Sequence, residues 1–313
     1  MTGSGPVIAL FGPTGVGKTA VMLELVPLLR ESGRDAIAIS ADALQVYEGL
    51  ELLTGAADAE AQRRVEHQLL SFVQISDTFS VGQFMPMAHR FIDETLEQGR
   101  VPIIIGGTGL YLRAALQDLS LRPPPPPGVR ERWEREVDAK GPEALHGKLR
   151  SYYPDLAATV DPNDRSRLIR LLELMEMGEL DADRRQGESE LWTADTRRPT
   201  LLVGLTMDRE KLYARIDARV ESMIEAGAAE EVRRAAASAS PTARKALGFK
   251  ELLAGDVDAM KRNTRRYARR QLTWMRKLPN VTLLDVTDRE PRKVAEEIRR
   301  LYLSAADRPG GKS

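Results

Sequence analysis

The sequence has no cysteine and only three histidines, His67, His89 and His146. The first absence excludes disulfides and cysteine-built zinc sites. The second leaves too few imidazoles, too widely scattered, for a histidine-built metal centre. Long apolar runs are missing as well. Nothing approaches the span of about 20 residues that crosses a membrane, and the opening "MTGSGP" lacks both a basic n-region and an apolar h-region. The expectation is a soluble, cytoplasmic protein. An excess of one charge is also absent, since 46 Lys and Arg face 46 Asp and Glu. Total charge therefore announces no nucleic-acid partner, and any such surface must come from local sorting of charge.

What is present suffices for a core. Hydrophobic residues make up 42% and charged residues 29% of 313 positions, which allows one large domain or two moderate ones. Short apolar runs bounded by Gly or Pro, "PVIALF" (6–11), "DAIAISAD" (35–42), "VPIIIGGTG" (101–109), "TLLVGLTMD" (200–208) and "NVTLLDV" (280–286), read as buried strands. Helical stretches separate them. The first, "TAVMLELVPLLRESG", contains Pro27 as a kink point and ends at Gly33. This rhythm predicts an α/β fold, a parallel sheet with helices on both faces. It breaks at "RPPPPPG" (122–128), a stiff extended spacer. The charged, helical-looking region beyond it carries no convincing strand. The chain thus divides into an α/β core (1–122 and 198–304), an all-helical insertion (123–197) and a disordered tail (305–313).

"GPTGVGKT" (Gly12, Pro13, Thr14, Gly15, Val16, Gly17, Lys18, Thr19) matches the phosphate-loop pattern G-x-x-x-x-G-K-[ST] in full, with a strand before it and a helix after it. The glycines let backbone amides wrap an anion, Lys18 adds a cation, and the Thr19 hydroxyl suits a Mg²⁺ ligand. The motif names a diphosphate or nucleotide but no reaction.

Ligands of open α/β sheets gather at the carboxyl ends of the strands. There "SADALQVY" delivers Asp42, either a base or Mg²⁺ ligand or a helix N-cap. Gln45 follows, suited to the edge of a base or simply to the surface, with Tyr47 on the same turn. "GGTGLYL" adds Gly106, Gly107, Gly109 and Thr108 at the same edge. Arg215 and Arg219 stand four apart on one helical face, as a diphosphate clamp or as partners of Asp217 and Glu221.

"KRNTRRYARRQLTWMRK" (261–277) has eight Lys or Arg and no acid. On a helix, Tyr267, Trp274 and Leu278 form an inward stripe, leaving Arg262, Arg266, Arg269, Arg270 and Arg276 over the rest. An unmixed positive face suits nucleic-acid phosphates better than solvent. Arg165, Arg167 and Arg170 repeat the pattern in the insertion, which suggests an extended polyanion gripped by two bodies.

Taken together, "GPTGVGKT", "SADALQVY", "GGTGLYL", "DPNDRSRLIRLLE", "ALGFKEL" and "TRRYARRQLTWMRK", in this order, resemble the bacterial tRNA dimethylallyltransferases (tRNA isopentenyltransferases) over nearly the whole chain. The resemblance implies a P-loop NTPase-like fold and Mg²⁺-dependent transfer of a dimethylallyl group from dimethylallyl diphosphate to N6 of the adenosine 3′ of the anticodon. It implies that Gly12–Thr19 holds the donor diphosphate, although the loop earns family members an ATP-binding description, with Mg²⁺ near Thr19. Asp42 corresponds to the general base, and Arg215 to an active-site arginine beside Lys18 and Thr19. Contact with the tRNA anticodon stem-loop is implied for Asp42, Ala43, Leu44, Gln45, Thr108 and Arg130. It is implied too for Ser166, Arg167, Leu168, Ile169 and Arg170, for Lys245 and Lys250, and for Arg269, Arg270, Gln271, Trp274 and Arg276. A monomer needing no protein partner and no membrane is the family's habit. Two departures stand out. Leu53-Thr54-Gly55-Ala56-Ala57 replaces the usual Gly-Thr-Ala-Lys-Pro, and His67-Gln68 replaces a His-His pair. The rival readings are a P-loop kinase of a small metabolite, an adenylate isopentenyltransferase acting on free nucleotide, and an RNA-binding ATPase switch.

Overall fold

The computed structural model describes residues 5–180 and 190–306. Six strands form one all-parallel sheet: β1 (Val7–Phe11), β2 (Ala36–Ser40), β3 (His67–Gln68), β4 (Val101–Gly106), β5 (Thr200–Thr206) and β6 (Thr282–Asp285). Their order is β3-β2-β4-β1-β5-β6. β1 lies in the middle and pairs Phe11 with Gly106 on one side and Gly204 on the other. Its residues are buried on both faces, as in a sheet covered by helices on each side. Ile8, Leu10, Ile103, Val203 and Leu205 pack into a cluster with Val21, Leu25 and Leu29 of the helix Lys18–Glu31 and with Val294 and Ile298 of the helix Pro291–Ala306. Ala9, Phe11 and Ile104 alternate to the other face, equally buried.

The five strands read from sequence are all present. The two-residue edge strand β3 was not among them, being too short to carry any periodicity. The helix Lys18–Glu31 continues through Pro27.

The chain separates into two compact units, Ser120–Ser189 and the remainder. The smaller unit is built from the helices Val129–Lys140, Pro142–Tyr152, Pro154–Ala158 and Arg165–Glu176, with no strand among its described residues. Trp133, Leu149, Leu168, Ile169 and Leu172 fill its core. Residues 190–197, assigned to the insertion by their polar composition, cluster with the α/β body instead. The Trp192 and Trp274 rings lie 5.0 Å apart there, and the Arg197 amide donates to the Leu116 carbonyl at 2.8 Å. Residues 305–306, expected in the disordered tail, complete the last helix; 307–313 lie outside the described residues. No described helix is long and apolar enough to cross a membrane.

Candidate functional site

β1 ends at Phe11, and the chain turns through Gly15 (φ 81°) and Gly17 (φ 102°) into the helix Lys18–Glu31. Both values lie in the left-handed region that glycine enters without strain. Gly17 caps the helix without any side-chain hydrogen bond, so the first-turn amides stay open at the positive end of the dipole. Lys18 Nζ donates to the carbonyls of Gly12 (2.9 Å) and Pro13 (3.1 Å). Burial, then the neighbouring Arg219 cation, lowers the lysine to about 8, partly offset by Asp42. The loop therefore holds a cation short of negative charge.

The loop opens onto a cavity of about 440 Å³ that also receives Asp42, Thr108, Arg215, Arg219, Lys245, Tyr267 and Arg270. Asp42 follows β2, and its Oδ1 accepts the Leu44 amide at 3.0 Å. It braces a turn rather than starting a helix, which removes the N-cap reading. Thr108 Oγ1 accepts the Ala43 amide at 3.4 Å and lies 3.4 Å from Tyr267 Oη. Tyr267 is pushed up to about 12 by burial and then by the Asp42 charge. Burial likewise raises Tyr111, helped by Tyr47 and Asp42. Gln45 is spent on the protein itself. Its Nε2 donates to the carbonyls of Thr54 (3.4 Å) and Gly55 (3.2 Å), and its Oε1 accepts from Ser40 Oγ at 3.3 Å, so the side chain is not free to read a base. Tyr47 is buried and its hydroxyl accepts the Phe79 amide.

Arg215 and Arg219, on the helix Arg209–Glu225, do not bond to the acids beside them. Asp217 pairs with Arg265 at 2.7 Å and Glu221 with Lys261 at 2.5 Å. The Arg215 guanidinium lies beside Gly17, 3.3 Å from where a Cβ there would sit, and Arg219, lowered by burial, donates to the Gly55 carbonyl at 3.4 Å. This removes the reading of both as partners of Asp217 and Glu221. Both line the cavity, and the signal for Arg219 was its spacing of four from Arg215. Leu53, Val220, Met223, Leu247 and Met260 give the cavity an apolar wall.

The basic helix spans Val257–Met275. Its buried line runs Met260, Thr264, Ala268, Gln271, Met275 rather than through Tyr267 and Trp274, which are half-buried. Two polar residues on the inward side broke the expected apolar stripe. Gln271 is 5% exposed, which takes its side chain away from the surface. Trp274 packs against Phe11 with the rings tilted (centroids 5.9 Å apart) and covers Gly109. Arg262, Arg266, Arg269, Arg270 and Arg276 are exposed, as are Lys245 and Lys250. Among the described residues, no carboxylate lies within ion-pairing distance of Arg266, Arg269, Arg270 or Arg276.

Sequence and structure comparisons meet this geometry. The IPP transferase family profile matches residues 45–278. A tRNA dimethylallyltransferase of Symbiobacterium thermophilum is 38% identical over 309 residues, covering 95% of this chain and 94% of that protein. This chain belongs to the IPP transferase family. A tRNA dimethylallyltransferase of Thermomicrobium roseum is 39% identical over 90% of the chain and 87% of its own length. The crystal structure of the tRNA isopentenylpyrophosphate transferase from Bacillus halodurans superposes with a TM-score of 0.69 at 33% identity, covering 96% of this chain and 97% of that one.

Of the two stretches singled out in the sequence, Leu53, Thr54, Gly55 and Ala57 line the cavity of this IPP transferase, as does His67, whereas Gln68 does not and donates to Glu66 Oε1 at 3.0 Å. In the insertion, Leu168 (0% exposed) and Ile169 (1%) are core residues, so their side chains offer nothing to a nucleic acid; the helical period turns them inward. Arg130 and Arg170 both bind the buried carboxylate of Glu173 at 3.0 Å. Ser166 and Arg167 are exposed.

Proposed function

We propose that this chain is a tRNA dimethylallyltransferase, moving the dimethylallyl group of dimethylallyl diphosphate to N6 of the adenosine 3′ of the anticodon. One observation carries the reading: Arg270, on an exposed arginine face suited to RNA, lines the same cavity as the phosphate loop and Asp42.

The adenine N6 lone pair is delocalised into the ring, so the donor must supply the drive. The bond from C1 of the allyl group to the diphosphate oxygen breaks, and the diphosphate leaves with the electron pair. The open amides after Gly17, with Lys18, Arg215 and Arg219, stabilise that charge. The N6–C1 bond forms as Asp42 takes the N6 proton, a role worth about 10²–10⁴-fold. Thr108 and Tyr267 flank the carboxylate. The target base must leave its stack first, at a cost of a few kcal/mol that phosphate contacts by Arg266, Arg269 and Arg276 offset. Lys245, Lys250, Ser166 and Arg167 are further exposed contacts in this proposal.

The exposed Thr19 hydroxyl is an oxygen donor of the kind Mg²⁺ accepts alongside substrate phosphates. It would help hold the ion, which would neutralise charge on the leaving diphosphate. We propose further that the enzyme acts in the cytoplasm, where its RNA is, and as a monomer, since loop, base and cations come from one chain.

The test is incubation with labelled dimethylallyl diphosphate, Mg²⁺ and either tRNA or AMP. Label in tRNA nucleosides alone supports the proposal. Label in AMP favours the free-nucleotide enzyme, and phosphate released from ATP without alkylation favours a kinase or ATPase.

A further inference from the structure

Three segments distant in sequence meet at one buried side chain. Gln271 Oε1 accepts the Thr14 amide at 2.9 Å, and Gln271 Nε2 donates to the Gly107 carbonyl at 2.8 Å. Thr14 is the crest of the phosphate loop, and Gly107 lies in the turn after β4. An amide side chain is the group that offers an acceptor to one partner and a donor to the other from a single planar head. The site is fitted to it. A Cβ at Gly107 would overlap the Gln271 nitrogen, and one at Gly109 would overlap the Trp274 ring. Gly107 and Gly109 of "GGTG" therefore seat the basic helix. Within the loop, the crest is otherwise held through the Pro13 carbonyl, which accepts from Val16 N at 3.3 Å and from Lys18 Nζ at 3.1 Å.

We infer that Gln271 is a positioning residue of the donor site: it holds the Thr14 amide so that the loop is preset for a diphosphate, and it does not contact RNA. The inference rests on the donor reading above. A loop amide engaged by Gln271 fixes the peptide between Pro13 and Thr14, which leaves the amides beyond Gly15 aimed at the anion. A loop freed at its crest must order itself when the donor arrives, and that cost falls on donor binding.

The test uses the full-length enzyme with Gln271→Met, close in shape and unable to make either bond, and independently Gly107→Ala, whose methyl expels the Gln271 head. KM values for dimethylallyl diphosphate and for tRNA are measured separately, with the Kd for inorganic pyrophosphate by calorimetry and the Kd for an anticodon stem-loop by anisotropy. Loss of the paired bonds should weaken donor and pyrophosphate binding about tenfold in either variant. The stem-loop Kd should stay within about twofold, and the double variant should be no worse than the poorer single, as expected of two changes that remove one interaction. A weakened stem-loop Kd with donor and pyrophosphate binding unchanged would overturn the inference, as would no change in either. Equal loss of melting temperature and active fraction with both KM values intact would reduce Gln271 to a packing residue. Because pyrophosphate binding needs no alkylation, it reads the role of Gln271 even if tRNA is not the acceptor.

Discussion

Two arginine-bearing helices, Arg165–Glu176 in the insertion and Val257–Met275 in the α/β body, look alike in sequence and differ in what their cations face. In the insertion Arg165 meets Asp138 at 2.6 Å, Arg167 meets Asp164 at 3.8 Å, and Arg170 shares Glu173 with Arg130. In the basic helix the pairing stops part-way. Lys261, Arg262 and Arg265 have Glu221, Asp256 and Asp217, whereas Arg266, Arg269, Arg270 and Arg276 have no acid beside them among the described residues. A run of positive residues is thus a surface for phosphate only where no neighbouring element neutralises it. The unneutralised half is the half that reaches the cavity through Arg270.

The sharpest division is between gripping RNA and reacting with it. Asp42→Asn keeps an acceptor for the Leu44 amide but removes the proton acceptor. Turnover should fall about 10²–10⁴-fold, read in single-turnover assays, while the stem-loop Kd stays level. Parallel losses would mean that Asp42 belongs to the grip. Next in size is Arg170→Ala in the insertion. It removes one of two cations from a carboxylate that is 0% exposed and frees the carbonyls of Arg122 and Pro123 from their donor. A stability loss of about 1.5–3 kcal/mol is expected, measured by urea unfolding, with RNA affinity little changed. The reverse pattern would make Arg170 an RNA contact and erase the contrast between the two helices.

The contrast itself was not open to sequence reading, and the reason is physical. The phosphate loop was legible because glycine placement and a flanking strand and helix determine a local backbone shape. Asp42 was legible because a strand end brings it to the ligand edge. Whether Arg215 and Arg219 pair with Asp217 and Glu221 depended on Arg265 and Lys261 taking those acids instead, from 48 and 40 residues away in the chain. The inward face of the basic helix escaped because Thr264 and Gln271 satisfy themselves on the Met260 and Gly107 carbonyls while buried, so an apolar pattern never forms. Leu168 and Ile169 fall inside the stretch for which the resemblance implies RNA contact, yet the helical period turns them into the core.

Lysine and arginine also separate the two tasks by pH. Lys18 is lowered to about 8 because burial and Arg219 disfavour its charge, whereas a guanidinium as a class does not deprotonate in the working range of a protein. A bound diphosphate restores the lysine proton, so donor binding takes up a proton above pH 8 and weakens as pH rises. The KM for dimethylallyl diphosphate should climb by up to about tenfold per unit beyond pH 8, and Lys18→Arg should flatten the climb. The sign for folding is opposite. The lysine is held below its ordinary value, so stability of the ligand-free protein rises between about 8 and 10.5. RNA affinity should be level across the same window.

The smallest effect tests the comparison most directly, because it sets arginine against arginine on one helix. Arg276→Ala and Arg269→Ala each remove an unpaired exposed cation, and each should lower the slope of log affinity against log salt by about 1. Arg265→Ala removes a cation whose charge Asp217 already answers at 2.7 Å, and it should leave that slope unchanged. A slope lowered equally by all three would show that the polyanion senses the helix as a uniform positive rod. Pairing would then be irrelevant to its partner, and the insertion's arginines would deserve the same weight as these.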